Sequence, residues 1–259
     1  MMREKIDPDW WKKIFDQVYL ITDARSVCDL DLTCREIDFL IEVLDLNESW
    51  AILDLCGGQG RHSLELSRRG FFDVTVLDFS RVLIELGTEA ARKEGLKTRF
   101  IRGDARNTGL PGDKYKVIII MASSFGYFEE ERQNEGILRE AHRLLGPEGR
   151  LLLDLPDRDH VLKALVPRSS HRAGEDITVY RERHVSDDII YSREKVVSDE
   201  EGLIRDASYC TRLYRPEKIE RLLRSAGFET VSIRRDFVSR EEKEDYGLMT
   251  NRMIVISEK

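Results

Sequence analysis

Cysteine is scarce and unclustered. Cys28, Cys34, Cys56 and Cys210 share no metal-ligand spacing and are too few for a disulfide framework. That excludes a small stapled scaffold and predicts free thiols in a reducing compartment, with no metal site. No apolar run approaches the ~20 residues needed to cross a bilayer. The start, Met1-Met2-Arg3-Glu4-Lys5, has no apolar signal core, so a cytoplasmic location is expected. Positive charge is in deficit: 42 Lys and Arg against 49 Asp and Glu give −7, which disfavours a nucleic-acid partner. Internal repeats and low-complexity tracts are absent. What remains is 41% hydrophobic and 35% charged over 259 residues, enough core for one domain with an elaboration.

The chain is organised around Trp50-Ala-Ile-Leu-Asp-Leu-Cys-Gly-Gly-Gln-Gly-Arg-His62. Ala51–Leu55 reads as a buried strand, and Leu64 and Leu66 begin a helix. Between them, Gly57, Gly58 and Gly60 let the backbone turn sharply and approach a ligand, with unpaired N–H groups at the helix start. Gly58-x-Gly60-x-x-Ser63 nearly matches the dinucleotide fingerprint, which leaves a nicotinamide-dependent oxidoreductase open. Asp54 points elsewhere. A carboxylate at the strand's carboxyl end repels a pyrophosphate and suits a ligand carrying an ammonium group.

The N-terminal part, 1–48, reads as helical. Over 8–23, Trp11, Phe15 and Val18 form a helical stripe against the core, and Tyr19 is reserved as a ligand contact. A second helix is expected over 33–45, capped by Thr33. After the glycine helix, Val74–Leu77 is a strand ending in Asp78, about twenty residues past the turn, the spacing at which a carboxylate meets a ribose diol. Ser80 caps the next helix and Gly95 ends it. Strands follow at 98–102, 116–121 and 150–154, separated by a helix over 129–145 and a Gly146–Gly149 turn. This alternation predicts a doubly wound, mostly parallel sheet. Its edge gathers Asp54, Gly57, Asp78, Asp104 and Ser123. Residues 176–214 lose helical periodicity and read as three antiparallel strands inserted into the α/β domain. A helix from Pro216, two closing strands and a charged loop over 239–249 complete the chain. The expected division is 1–48, then 49–166 with 215–259, then the insertion 167–214.

These motifs together resemble those of class I S-adenosylmethionine-dependent methyltransferases, over roughly 45–259. Asp54-Leu-Cys-Gly-Gly-Gln-Gly60 resembles the first family motif, with Cys56 and Gly58 exchanged relative to the usual order. Asp78 matches the ribose-binding acid, and Phe79 the residue flanking adenine. Gly103-Asp104-Ala105 is similar to the segment meeting the adenine amino group. Arg212–Phe228 resembles the helix and turn before the penultimate strand. The resemblance implies a seven-stranded Rossmann-like sheet with its last strand antiparallel. It also implies S-adenosylmethionine as cofactor, S-adenosylhomocysteine as product, and cofactor contacts extending to Met121.

On the acceptor side, the loop Met121–Phe128 lacks the acidic or Asn residue, two prolines and aromatic that the resemblance associates with DNA bases and glutamine. Phe125 and Phe128 read as core, and Tyr127 as a pocket wall. His160 reads either as a general base or as a loop histidine. His184 and Tyr209 carry the same two readings as substrate contacts. The run Arg181–Arg183 reads as a solvated face, and Arg61 and His62 as supports of the turn. An inserted sheet is similar to the caps of small-molecule N- and O-methyltransferases, and can equally be a dimer surface. The acceptor expected is a small molecule, with RNA methylation the alternative and a monomer or homodimer the expected state.

Overall fold

The computed structural model describes residues 6–237 and 251–259. The expected charged loop over 239–249 lies outside the described residues. The N-terminal segment departs from the predicted helix over 8–23. It forms a short 3₁₀ turn, Trp10–Lys12, then two small helices, α1 (Gln17–Thr22) and α2 (Ala24–Val27). Asp16 breaks the stripe: its side chain accepts from the N–H groups of Val18 and Tyr19 and starts a new helix. α3 (Leu30–Leu44) begins earlier than expected. Asp29, not Thr33, caps it, accepting from Leu32 N at 2.9 Å, while Thr33 Oγ1 donates back to Asp29 O. Leu32, Ile37, Leu40 and Leu44 form its buried face.

The α/β part runs β1 (Ile52–Leu55), α4 (Arg61–Arg68), β2 (Val74–Asp78), α5 (Arg81–Glu94), β3 (Arg99–Arg102), β4 (Tyr115–Ile120), α6 (Glu131–Leu144), β5 (Leu145–Pro156) and α7 (Arg158–Ala164). The insertion supplies β6 (Arg168–Ala173), β7 (Ile177–Ser186), β8 (Ile189–Ser198) and β9 (Gly202–Arg212). α8 (Pro216–Ser225), β10 (Thr230–Phe237) and β11 (Arg252–Glu258) close the chain. Seven strands form one sheet in the order β10-β11-β5-β4-β1-β2-β3, with β11 antiparallel to both neighbours, as the resemblance implied. Alternation divides the core: Ile118 and Ile120 pack on one face with α6 and α8, Val117 and Ile119 on the other with α3. The order puts β1 between β4 and β2, so the loops leaving these three strands meet at one edge.

Two boundaries differ from the pattern. Gly146–Gly149 is no separate turn, because β5 already starts at Leu145 and absorbs the irregularity as a register shift against β4. The insertion is a four-stranded antiparallel sheet, β6-β7-β8-β9, rather than three strands. β6 reads Arg-Ser-Ser-His-Arg-Ala, with no apolar alternation to betray it. The β7–β8 turn has Asp187 and Asp188 both at positive φ, 52° and 59°, the conformation a two-residue hairpin needs. Among the described residues no helix is long and apolar enough to cross a membrane.

Candidate active site

The turn after β1 is shaped by close approach. Cys56 takes φ 64° and donates its N–H to Leu77 O at 2.8 Å. A Cβ on Gly57 would stand 2.5 Å from the Asp54 carboxyl carbon, and one on Gly60, at φ 74°, 2.6 Å from the Phe100 ring. Only glycine fits either place. Asp54 is 0% exposed. Ser63 Oγ donates to its Oδ2 at 2.9 Å, while its Oδ1 is buried with no hydrogen-bond partner. Burial raises this carboxyl to about 7. A ligand ammonium could complete the pairing of that oxygen. At the end of β2, Asp78 accepts Gly58 N at 2.9 Å and Ser80 N at 2.8 Å, one on each oxygen. Each oxygen keeps room for a further donor.

The clefts at this edge run into one another. The first is lined by Tyr19, Asp54, Cys56, Gly57, Gly58, Asp78, Met121 and Ser124, among others. An apolar lobe follows, with Trp11, Phe79, Asp104, Ala105, Phe128 and Ile137. Its Phe79 ring meets Trp11 edge-on at 4.6 Å. Asp104 is in place, yet both its oxygens are held by Arg106, whose guanidinium lies over the Trp11 and Phe128 rings. Gly60 acts through the turn rather than as a wall.

A further, wider cleft lies on the other side. Its walls include Tyr19, Tyr127 and Tyr209 together with Arg181, Glu194 and Arg205 of the inserted sheet. Phe15 and Tyr127, stacked at 5.6 Å and 22°, line all three spaces. The inserted sheet reaches this junction through β9. Arg212 N donates to Gly126 O at 2.7 Å, and the Cys210 thiol lies 3.6 Å from Tyr127 O. Burial raises the Tyr127 and Tyr209 phenols above their ordinary range.

Several expectations fall elsewhere. His160 lines none of these clefts; it sits in the first turn of α7, its N–H on Asp157 Oδ1 and its ring against Asn251. His184 stacks on Tyr191 at 5.1 Å beside a separate cleft. Ser123 lines the wide cleft while its neighbour Ser124 lines the first. Phe125 and Phe128 are both core. Arg181 and Arg183 are not a solvated face: both line the wide cleft, and the Arg181 side chain is 12% exposed. Arg61 also lines two clefts, bound to Glu36 Oε2 at 2.6 Å. Glu36 in turn holds His62, whose imidazole burial lowers to about 4, and the fully buried Arg252. Among the described residues no group of side chains could hold a metal ion.

Phe15, Arg61 and Arg181, expected as core stripe, turn support and solvated face, line these clefts, as do Ser124, Glu194 and Arg205, which no sequence signal singled out. Phe15 was in plain view within an aromatic stripe. The three insertion residues were not, since their convergence depends on strand register: Arg181 pairs across from Glu194.

Comparison with known proteins bears on this site. Residues 52–149 match the family described as Methyltransferase domain. A glycine/sarcosine N-methyltransferase of Halorhodospira halochloris is 32% identical over 209 residues, covering 78% of this chain and 74% of that protein. A solved S-adenosylmethionine-dependent methyltransferase from Clostridium acetobutylicum ATCC 824 shares the fold at TM-score 0.72 and 19% identity, over 93% of this chain and 96% of that one. CalS10, an amino pentose methyltransferase from Micromonospora echinaspora solved with S-adenosylmethionine bound, does so at TM-score 0.62 and 17% identity over 100% of both. The chain therefore belongs to the class I S-adenosylmethionine-dependent methyltransferases, as an enzyme whose cofactor is S-adenosylmethionine.

Proposed function

We propose that the chain transfers the methyl group of S-adenosylmethionine to an amino nitrogen of a small-molecule acceptor, releasing S-adenosylhomocysteine. The observation that carries this reading is the wide cleft, joined to the first at Phe15 and Tyr127 and lined by aromatic and charged side chains together. Two similar proteins are named for amine acceptors, glycine and sarcosine in one and an amino pentose in the other, which supports nitrogen as the nucleophile. In this reading 49–166 and 215–259 hold the cofactor, while 1–48 and 167–214 cover the acceptor.

Asp54 takes the cofactor's ammonium, Asp78 its ribose hydroxyls, and Phe79, Asp104 and Ala105 surround its adenine. The Cys56–Gly60 turn and Met121 shape the space between. Bound there, S-adenosylmethionine supplies a methyl group already activated on a sulfonium. The chain's own residues then have to align the acceptor's lone pair in line with that methyl and keep water away. Trp10, 5.1 Å from Tyr127 and 5.7 Å from Tyr209, builds the dry wall. Tyr127 and Tyr209, whose phenols burial keeps protonated, would face the acceptor as hydrogen-bond donors and not as bases. A neutral amine needs no base to attack, and sheds its extra proton after transfer.

The test is methyl transfer from labelled S-adenosylmethionine to a panel of amino acids, amino sugars and simple amines, with bulk tRNA and rRNA in parallel. Labelled product in the amine panel is expected. Stoichiometric methylation of one RNA site, with the panel unlabelled, overturns the reading.

A further inference from the structure

α1 is a six-residue helix that carries Tyr19, which lines both the first cleft and the wide one. Both of its ends are held by arginines from the inserted sheet. Arg205 Nη2 donates to Asp16, the residue whose same oxygen caps the helix by accepting from Val18 N and Tyr19 N. Arg181 Nη2 donates to Asp23, just past the other end, at 2.8 Å. The two arginines converge on one carboxylate. Arg181 Nε lies 2.9 Å from Glu194 Oε2, and Arg205 Nη1 lies 3.4 Å from Glu194 Oε1. The side chains of Glu194, Arg181 and Arg205 are 3%, 12% and 10% exposed, so water screens these contacts little. A third tie, between His171 Nε2 of β6 and Thr22 O at 3.0 Å, adds to the same end.

On its other side the segment is anchored to the cofactor-binding part. Ser80 Oγ donates to Phe15 O at 2.5 Å, and Gln59 Nε2 donates to Val27 O at 2.9 Å. The strap over 15–27 thus bridges glycine turn and insertion. Two of its three ties to the insertion are charge pairs, and Glu194 is the residue that both of their arginines share.

We infer that Glu194 is a positioning residue for the methyl-transfer site: through Arg181 and Arg205 it pins both ends of α1 and thereby fixes Tyr19 across the junction of the two clefts. This rests on the reading of those clefts as cofactor and acceptor space. Glu194 also lines the wide cleft, so its action on the strap is read from release of S-adenosylhomocysteine, which the other cleft holds. A closed strap slows cofactor release and keeps the junction dry, and loss of the Glu194 charge leaves the two guanidiniums facing each other without their common counter-ion.

The experiment follows release of S-adenosylhomocysteine by stopped-flow fluorescence of Trp10 and Trp11, in wild type, Glu194→Gln, Glu194→Asp and Asp23→Asn. In Glu194→Gln release is expected to accelerate about tenfold, the ratio for losing one charge-assisted hydrogen bond. Trypsin is expected to cut faster at Lys13 and Arg25, with the melting temperature lowered but still above the assay temperature. Glu194→Asp, which keeps the charge, restores part of the slow release. Asp23→Asn, a milder change at a partly exposed position, gives a smaller acceleration, and in the Asp23→Asn background Glu194→Gln adds less than it does alone. Folded Glu194→Gln releasing at the wild-type rate overturns the inference; so does an Asp23→Asn rate equal to wild type, should Glu194→Gln not fold. Failure of wild type itself to bind S-adenosylhomocysteine defeats the functional reading instead, so the two are told apart.

Discussion

In the proposed reading, the cofactor side of the cleft is set by one local backbone turn and the two carboxylates it positions, the acceptor side by side chains from distant segments. On the first, Asp54, Gly57, Gly58 and Gly60 are sequence neighbours, and Asp78 joins them through one parallel strand pairing. The second brings Tyr19 of the N-terminal segment, Tyr127 of the loop after β4, and Arg181, Glu194 and Tyr209 of the inserted sheet into one wall. The difference teaches where change is tolerated. A backbone cradle fixes one ligand and fails when a glycine gains a Cβ. A wall of side chains on an antiparallel sheet can be respecified by alternate residues without moving the strands.

Substitutions can break or sharpen this contrast, and they rank by size. Asp78→Ala removes the acceptor of the Gly58 and Ser80 N–H groups along with the expected ribose contact. At about 1.5–3 kcal/mol for each charge-assisted hydrogen bond, S-adenosylhomocysteine affinity should fall by about a hundredfold in calorimetric titration. Tight NAD binding in its place would break the comparison at its root. Next is Gly57→Ala, whose Cβ cannot share space with the Asp54 carboxyl. Overpacking of this kind costs about 1–3 kcal/mol, to be seen as a lower melting temperature together with weakened cofactor binding.

The Asp54 carboxyl gives a pH test. It is raised to about 7 in the free protein, and an ammonium ligand binds its ionised form. Cofactor affinity should therefore fall as pH drops through about 7, by up to about tenfold per pH unit, and Asp54→Asn should flatten the profile. A wild-type profile already flat removes Asp54 from the ammonium role. Tyr209→Ala sharpens the other side. Methyl transfer should drop about tenfold while S-adenosylhomocysteine affinity stays within about twofold, because one polar contact and part of an aromatic wall are lost only from the acceptor cleft. Smallest of all is His160→Ala, expected to leave both readouts within about twofold, as surface substitutions away from a site usually do. A large loss of turnover there would return His160 to the reaction.

The α/β core was legible because its signals are local. Val117–Ile120 could only be a buried strand, Gly95 could end α5 by its left-handed φ of 68°, and Asp78 stood at a readable distance from the glycines. The acid-and-glycine motif was legible as a ligand-binding turn for the same reason, since Gly57 and Asp54 constrain each other within four residues, and its resemblance to a family motif supplied the cofactor. Other features were hidden for physical reasons. Asp16 looked like one more polar position in a helix, and only its bonds to Val18 and Tyr19 show that it starts a new one. β6 carries no apolar alternation, so its pairing with β7 is what makes it a strand. Arg181 looked solvated because a charged residue on a strand is exposed or buried according to what covers that face.

By itself the sequence determined the doubly wound sheet and the glycine turn after β1, because each rests on backbone conformations that a few adjacent residues dictate, while the cofactor was legible through the resemblance of several motifs to one family. The tertiary structure alone decided which charges of the insertion face the N-terminal strap, that Glu194 gathers Arg181 and Arg205, and that His160 and His184 stand aside. Those outcomes depend on strand register and on contacts between residues more than a hundred positions apart, such as Arg205 with Asp16, which no local pattern encodes.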